Sequence, residues 1–225
     1  MIRKKIVNMN ARVLLDKCVI FMYLVLARNI GVIVVLIWLD LTFQNQSIPH
    51  EIWSGLLAEI TIPLLVIMII GNYKLCVPSG PKFLVGFMWY TFVLDSLFAL
   101  HHYVMHSNQY LYKYYHYVHH SSSGVLTTKK GLLSHPVDGL TANILVVFWI
   151  LSVEPNIITL SVAYSLLNIW GILLHTGLNK EIHFWNFLVS PMDHQIHHSC
   201  VTVNYAGFYS IWDRLFHQYS QTNCK

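Results

Sequence analysis

Histidine is the residue type to start from: the chain carries fourteen, and most fall into short groups. These are His102-Tyr-Val-Met-His106, His116-Tyr-Val-His119-His120, a single His175, and His194-Gln-Ile-His197-His198. On a helix, positions i, i+3 and i+4 share a face. Each His-x-x-His-His group therefore aims at least two imidazoles at a common point, and His102 and His106 do the same. With His175 these make nine potential ligands, enough for two metal ions at four or five each. Imidazole suits iron, copper, zinc and nickel, whereas magnesium and calcium want oxygen. The cysteines, Cys18, Cys76, Cys200 and Cys224, form no Cys-x-x-Cys pair, so neither a thiolate zinc site nor a disulfide framework is expected.

Metal-bound histidines usually donate their second ring N–H to a carboxylate or carbonyl. Asp95, seven residues before His102, is the first candidate for that support, with Asp138 and Asp193 behind it. A lone histidine is ordinarily a polar residue with a local partner. That reading is the default for His50, His101, His135, His183 and His217. The aromatic run Tyr110, Tyr112, Tyr114, Tyr115 and Tyr117 suits a membrane–water boundary.

The elements that must position these groups are membrane segments. Hydrophobic residues make up 55% of the chain and charged residues 11%, against roughly 25% charged in a soluble domain. The net charge of +4 is concentrated near the start, at Arg3, Lys4, Lys5, Arg12 and Lys17. That suits a flank against an anionic leaflet and is too little for nucleic-acid binding. A membrane-crossing helix takes about 20 apolar residues, and residues 18–43, 52–71 and 83–100 each qualify. The apolar stretch 140–174 is long enough for two arms, and Glu154-Pro155 breaks it. It reads as a helical hairpin whose return brings the histidines before and after it to one membrane face. Three spans ahead of the first histidine group would put the basic N-terminus and the histidines on opposite sides. The lysines at 113, 129 and 130 argue for the same side, so one early segment is expected to be re-entrant or interfacial. The fold class is thus an all-α integral membrane protein, with about four membrane-embedded helices and a histidine-rich helical cap at one face.

In their order along the chain these residues resemble the fatty acid hydroxylase superfamily of membrane di-iron proteins, which includes sterol desaturases and alkylglycerol monooxygenase. The resemblance rests on Asp95 through His106, on His116 to His120 followed by Ser121-Ser122, and on His135-Pro136-Val137-Asp138-Gly139. It continues through Asn168 to His175, Pro191 to His198, Asn204-Tyr205-Ala206-Gly207 and Trp212-Asp213-Arg214-Leu215-Phe216. Departures are Tyr103 where the family has Arg, His217-Gln218 where it has Gly-Thr, and Asn179 where some members have a further histidine.

The resemblance implies N-terminal membrane segments over 1–84, a di-iron domain over 85–217 and a short tail over 218–225. It adds His135 to the candidates for outer support of the ligands. It implies two iron ions, with zinc as a substitute, O2, and a lipid substrate taken from the bilayer and hydroxylated or desaturated. The substrate class is a sterol, fatty acid or sphingolipid. No haem-binding His-Pro-Gly-Gly element and no dinucleotide fingerprint is found, so electrons would come from a separate cytochrome b5, or a ferredoxin with its reductase. The implied setting is the endoplasmic reticulum membrane with the histidines facing the cytosol. The competing readings are a membrane metal transporter or metal-binding protein, whose ligands should lie near the midplane, and an inactive relative.

Overall fold

The computed structural model describes residues 78–121, 125–131, 133–177 and 187–221. Helix α1 is Gly80–Ser107, with Pro81 at its first turn. Asn108 both ends it and starts the next helix: its backbone turns extended, and its side chain accepts from Tyr110 and Leu111 N–H at 3.0 and 3.1 Å. From this corner α2 (Gln109–Leu111), a π-helical turn (Tyr112–His116) and α3 (Tyr117–His120) run on in sequence. A short α4 (Thr128–Gly131) follows.

Helices α5 (Pro136–Val153) and α6 (Ile157–Leu174) form the expected hairpin. Glu154 takes a left-handed conformation at φ 43°, Pro155 follows, and Asn156 caps α6 by accepting from the Thr159 N–H at 3.1 Å. The cap region is built on α7 (Pro191–Cys200), whose start is a Ser190/Asp193 capping box, and α8 (Ile211–Leu215).

α1, α5 and α6 are long and apolar enough to cross a membrane. The expected segments 18–43 and 52–71 lie outside the described residues, so a count of four spans is not established. Two boundaries differ from expectation. The helix placed at 83–100 runs on through Ser107, because nothing after Leu100 breaks it until Asn108. The hairpin's first arm begins at Pro136 rather than 140 and gains a turn, because His135 caps the helix by accepting from the Val137 N–H at 3.2 Å. One disulfide also departs from expectation. Cys200 is disulfide-bonded, a pairing that wide cysteine spacing does not reveal.

The bundle core is Leu94, Ile150, Ile157, Leu160 and Ala163, with Tyr90 and Trp149 packed edge to face at 5.6 Å between ring centroids. The Tyr90 hydroxyl accepts from the Asn156 N–H at 3.0 Å and ties the hairpin turn to α1. Ala163 is fully buried in that core. Ala163→Leu is therefore expected to overpack it by about 1–3 kcal/mol, seen as a lowered unfolding temperature in detergent. An unchanged midpoint would contradict the packing described.

Candidate metal centre

The histidines converge where the ends of α1 and α6 meet α3 and α7. His102, His106, His116, His120 and His197 form one group; His119, His175, His194 and His198 form the other. Within each group the nearest ring nitrogens all lie within 4.8 Å of one another. The two groups adjoin, with the rings of His120 and His198 at 4.3 Å.

How the sequence produces two groups follows from helix geometry. Residues at i and i+4 lie about 40° apart, while i+3 lies about 60° from i on the other side and about 100° from i+4. His116 and His120 thus share the first group, their Nε2 atoms 3.2 Å apart, while His119 crosses to the second. In α7 the roles reverse. His194 and His198 pair in the second group at 3.2 Å, and His197 crosses to the first. His102 and His106 pair at 3.2 Å from the end of α1, and His175 enters from just beyond α6. Each His-x-x-His-His box therefore stitches the two groups together.

Most of these rings are oriented by their outer nitrogen. His102 Nδ1–H donates to the Tyr205 carbonyl at 2.7 Å, His197 Nδ1–H to Val203 at 2.7 Å, and His175 Nδ1–H to Gly171 at 2.7 Å. His119 Nδ1–H donates to the Leu133 carbonyl at 3.2 Å, and His116 Nδ1 meets the Asp138 carboxylate at 2.7 Å. A carbonyl only accepts, so the proton sits on Nδ1 and Nε2 is left as a lone pair. The consequence is sharpest between His119 and His175. Their Nε2 atoms are 3.3 Å apart, and both tautomers are fixed by carbonyls, so no proton lies between them. Burial holds the His119 imidazole well below its usual range, with His175 pushing the same way, and burial lowers His175 to about 4. Neither ring is therefore cationic near neutral pH. His197 Nε2 is likewise buried with no hydrogen-bond partner among the described residues.

Converging lone pairs are what a cation requires. The Nε2–Nε2 separations of 2.9 Å for His175–His194 and 3.3 Å for His119–His175 suit neighbouring ligands on one ion with bonds of about 2.0–2.1 Å. The donor set is all imidazole, which fits a first-row transition metal. The residues present fit metal binding at both groups.

The supporting carboxylates are placed differently from one another. Asp138 bonds His116 directly and also faces His101 Nε2 at 3.7 Å. His101 in turn shares a hydrogen bond with the Thr141 hydroxyl at 3.0 Å. Asp95 touches no ligand ring. Its oxygens accept from the Phe208 and Tyr209 N–H groups at 2.8 and 3.0 Å. Asp193 serves the α7 cap, accepting from the Ser190 N–H at 2.9 Å. His135 caps α5 and packs on Tyr115. Tyr103 is half exposed and stands edge-on to Tyr205 at 5.8 Å.

Three residues not singled out by the sequence reading hold the loop that supplies the Val203 and Tyr205 carbonyls. Asn204, fully buried at φ 57°, donates to the Asp193 and Ser220 carbonyls at 3.1 and 2.8 Å and accepts from the Ser220 N–H. Asp213 accepts from the Ala206 N–H at 3.0 Å, and burial raises its carboxyl to about 6. Gly207 lies against Phe98, where an added Cβ would meet ring carbons at 2.7 Å. The Asn-Tyr-Ala-Gly and Trp-Asp elements carried this signal, but only as a resemblance.

A cavity of about 290 Å³ opens from both groups into the helix bundle. His102, His116, His119, His175 and His194 line it, together with apolar Leu94, Phe98, Ala142, Val146, Leu167 and Ile172 and polar Asp95, Asn143, Tyr164 and Asn168.

Burial lowers the imidazoles of His119, His120, His175, His194, His197 and His198 below their unfolded value of 6.5. The unfolded chain then binds protons that the fold refuses, so stability is lost as pH falls below 6.5. Outside the spans, Asp213 works in the opposite sense between 3.8 and about 6, against these six imidazoles. Metal-stripped protein is therefore expected to melt progressively lower from pH 7 to pH 4.5. A flat profile would contradict a buried neutral cluster.

Residues 83–218 match the family model for fatty acid hydroxylase. No curated protein and no solved structure gives a significant match. The match covers well over half of the 225 residues and spans both histidine groups, the cavity and the loop that frames them, so the chain belongs to the fatty acid hydroxylase family.

Proposed function

We propose that the protein is a membrane di-iron oxygenase that hydroxylates or desaturates a C–H bond in a lipid. The observation that carries this reading is the cavity that joins both groups of imidazoles to the mostly apolar interior of a membrane bundle. The family is typically iron-dependent and oxidoreductive. We assign one iron to His102, His106, His116, His120 and His197, and the other to His119, His175, His194 and His198. Iron bound there supplies, with O2 and two external electrons, the oxidising power that an unactivated C–H bond demands and no protein side chain provides.

The chain's own residues do the remaining work. The Tyr205, Val203, Gly171 and Leu133 carbonyls and Asp138 hold rings in the ligating tautomer. Leu94, Phe98, Val146 and Leu167 supply the apolar surface of the cavity, against which an alkyl chain or ring system packs beside the reacting carbon. The substrate is a sterol, fatty acid or sphingolipid entering from the bilayer, and the electrons come from a separate cytochrome b5 or ferredoxin-type donor. The histidine groups stand at helix ends rather than mid-helix, which speaks against a transporter with midplane ligands.

The proposed membrane is the endoplasmic reticulum, with the histidines facing the cytosol on the strength of Lys113, Lys129 and Lys130. The Cys200 disulfide pulls the other way, since such bonds are rare in reducing compartments. Amine labelling of Lys113 in sealed right-side-out microsomes decides it, with labelling from outside expected.

Metal analysis of protein purified in mild detergent is expected to find two irons per chain, and none in a His119→Ala/His197→Ala double variant. Asp138→Ala should weaken retention at the His116 group by about 10–100-fold and leave the other group intact. Metal-free wild-type protein, or a double variant that keeps its full complement, would sink the assignment.

A further inference from the structure

The cavity wall is mostly apolar; Asp95, His101, Thr128, Ser134 and Asp138 interrupt it, and so does one polar level between α5 and α6. There Asn143 on α5 and Tyr164 on α6 face each other, and the Tyr164 hydroxyl donates to Asn143 Oδ1 at 2.6 Å. Asn143 Nδ2–H donates to the Gly139 carbonyl at 2.7 Å, and Asn168, one turn from Tyr164, lines the same wall. A carboxamide has two N–H donors and an oxygen with two lone pairs. Asn143 uses one donor and one lone pair on these partners among the described residues, although it is buried and borders the cavity. Its second N–H thus has no partner among the described residues beside a mostly apolar cavity, where an unmade bond is expensive and a made one is selective.

Its depth is set by the helix. Asn143 lies five residues beyond Asp138, about 7.5 Å further along α5 at 1.5 Å per residue, and Asp138 touches His116. The polar level therefore sits several carbon–carbon bonds below the histidine groups, inside the membrane-embedded part of the bundle.

We infer that Asn143, buttressed by Tyr164, is a specificity-determining residue that binds an oxygen atom carried on the lipid's own skeleton. The substrate is then an oxygen-bearing lipid, with a hydroxyl or carbonyl group a short chain away from the carbon presented to the histidines. A plain hydrocarbon segment would leave the Asn143 N–H unpaired. The geometry assigns recognition of the oxygen to Asn143 and placement of its amide to Tyr164. This rests on the lipid-oxygenase reading in taking the cavity's occupant to be a lipid, and it needs no metal to be tested.

The test is competition binding in detergent micelles with matched probes: cholesterol against cholestane, and cetyl alcohol or methyl palmitate against hexadecane. Wild-type protein is expected to hold the oxygenated member of at least one pair about tenfold more tightly, the contribution of one hydrogen bond. Asn143→Leu, similar in size, should bring that ratio to about one, and Tyr164→Phe should reduce it partially. A merely structural tie between the helices would lower thermal stability in both variants without moving the ratio. The inference is overturned if the wild type does not discriminate within any pair, or if Asn143→Leu keeps the preference. Should Asn143→Leu fail to fold, an unchanged ratio in Tyr164→Phe overturns the buttressing role, and the wild-type ratio alone still decides whether an oxygen is recognised. Iron content measured on the same preparations keeps the outcomes apart, since loss of iron with an intact ratio refutes the di-iron reading and not this one.

Discussion

The structure depends on one electrostatic constraint: lone pairs that face each other need a positive charge between them. Carbonyl oxygens at Tyr205, Val203, Gly171 and Leu133 take the outer ring protons of four histidines, and so deny those protons to the inward nitrogens. Without that constraint, rings as close as His119 and His175 would simply share protons in an ordinary hydrogen-bonded chain. With it, His102, His119, His175 and His197 turn unprotonated Nε2 atoms inward, an arrangement that a bound cation stabilises. Burial reinforces the effect by keeping the rings outside the spans uncharged, as the lowered values of about 4 and about 3 at His175 and His197 show.

Much of the rest of the cap exists to keep those carbonyls in place. The Val203 and Tyr205 carbonyls flank Asn204, whose positive φ turns the backbone and whose amide ties it to Asp193 and Ser220. Downstream, Asp213 fixes the Ala206 N–H and Asp95 fixes those of Phe208 and Tyr209. Asp95 and His102 are seven residues apart, hence on the same face of α1 and about 10 Å apart along it. They grip one loop at two points, His102 at Tyr205 and Asp95 at Phe208 and Tyr209. The seven-residue spacing is therefore a spacing between two anchors rather than one between a ligand and its hydrogen-bond partner.

That case shows what sequence could and could not deliver. The i,i+4 pairs within the histidine boxes were legible, because helical periodicity alone puts both rings on one face. The hairpin was legible too, because Pro155 inside a long apolar run has few other meanings. The division of each box between two groups was not, since the i+3 ring chooses its neighbours only when another helix is brought alongside. The carbonyl partners were invisible because any residue supplies a carbonyl, so the identities of Val203, Tyr205 and Leu133 carry no signal. Asp138 was in view, but its precedence over Asp95 depends on which helix end reaches His116.

The same constraint explains why the site stands at the ends of the apolar helices. Carbonyls free to accept from imidazoles come mainly from irregular backbone, and irregular backbone facing lipid leaves polar groups unsatisfied. Leu133, Val203 and Tyr205 all lie outside helices, while the Gly171 carbonyl belongs to the last turn of α6, where the helical ladder no longer consumes it. The cluster must therefore sit where loops are tolerated, and any apolar occupant must reach up to it from below. The cavity runs in that direction, with helix walls on the membrane side and imidazoles at its head. A metal-binding site at the midplane would have had helical backbone around it and too few spare acceptors to orient its rings. Placement at the boundary thus follows from the hydrogen-bonding needs of the ligands before any demand of the substrate is considered.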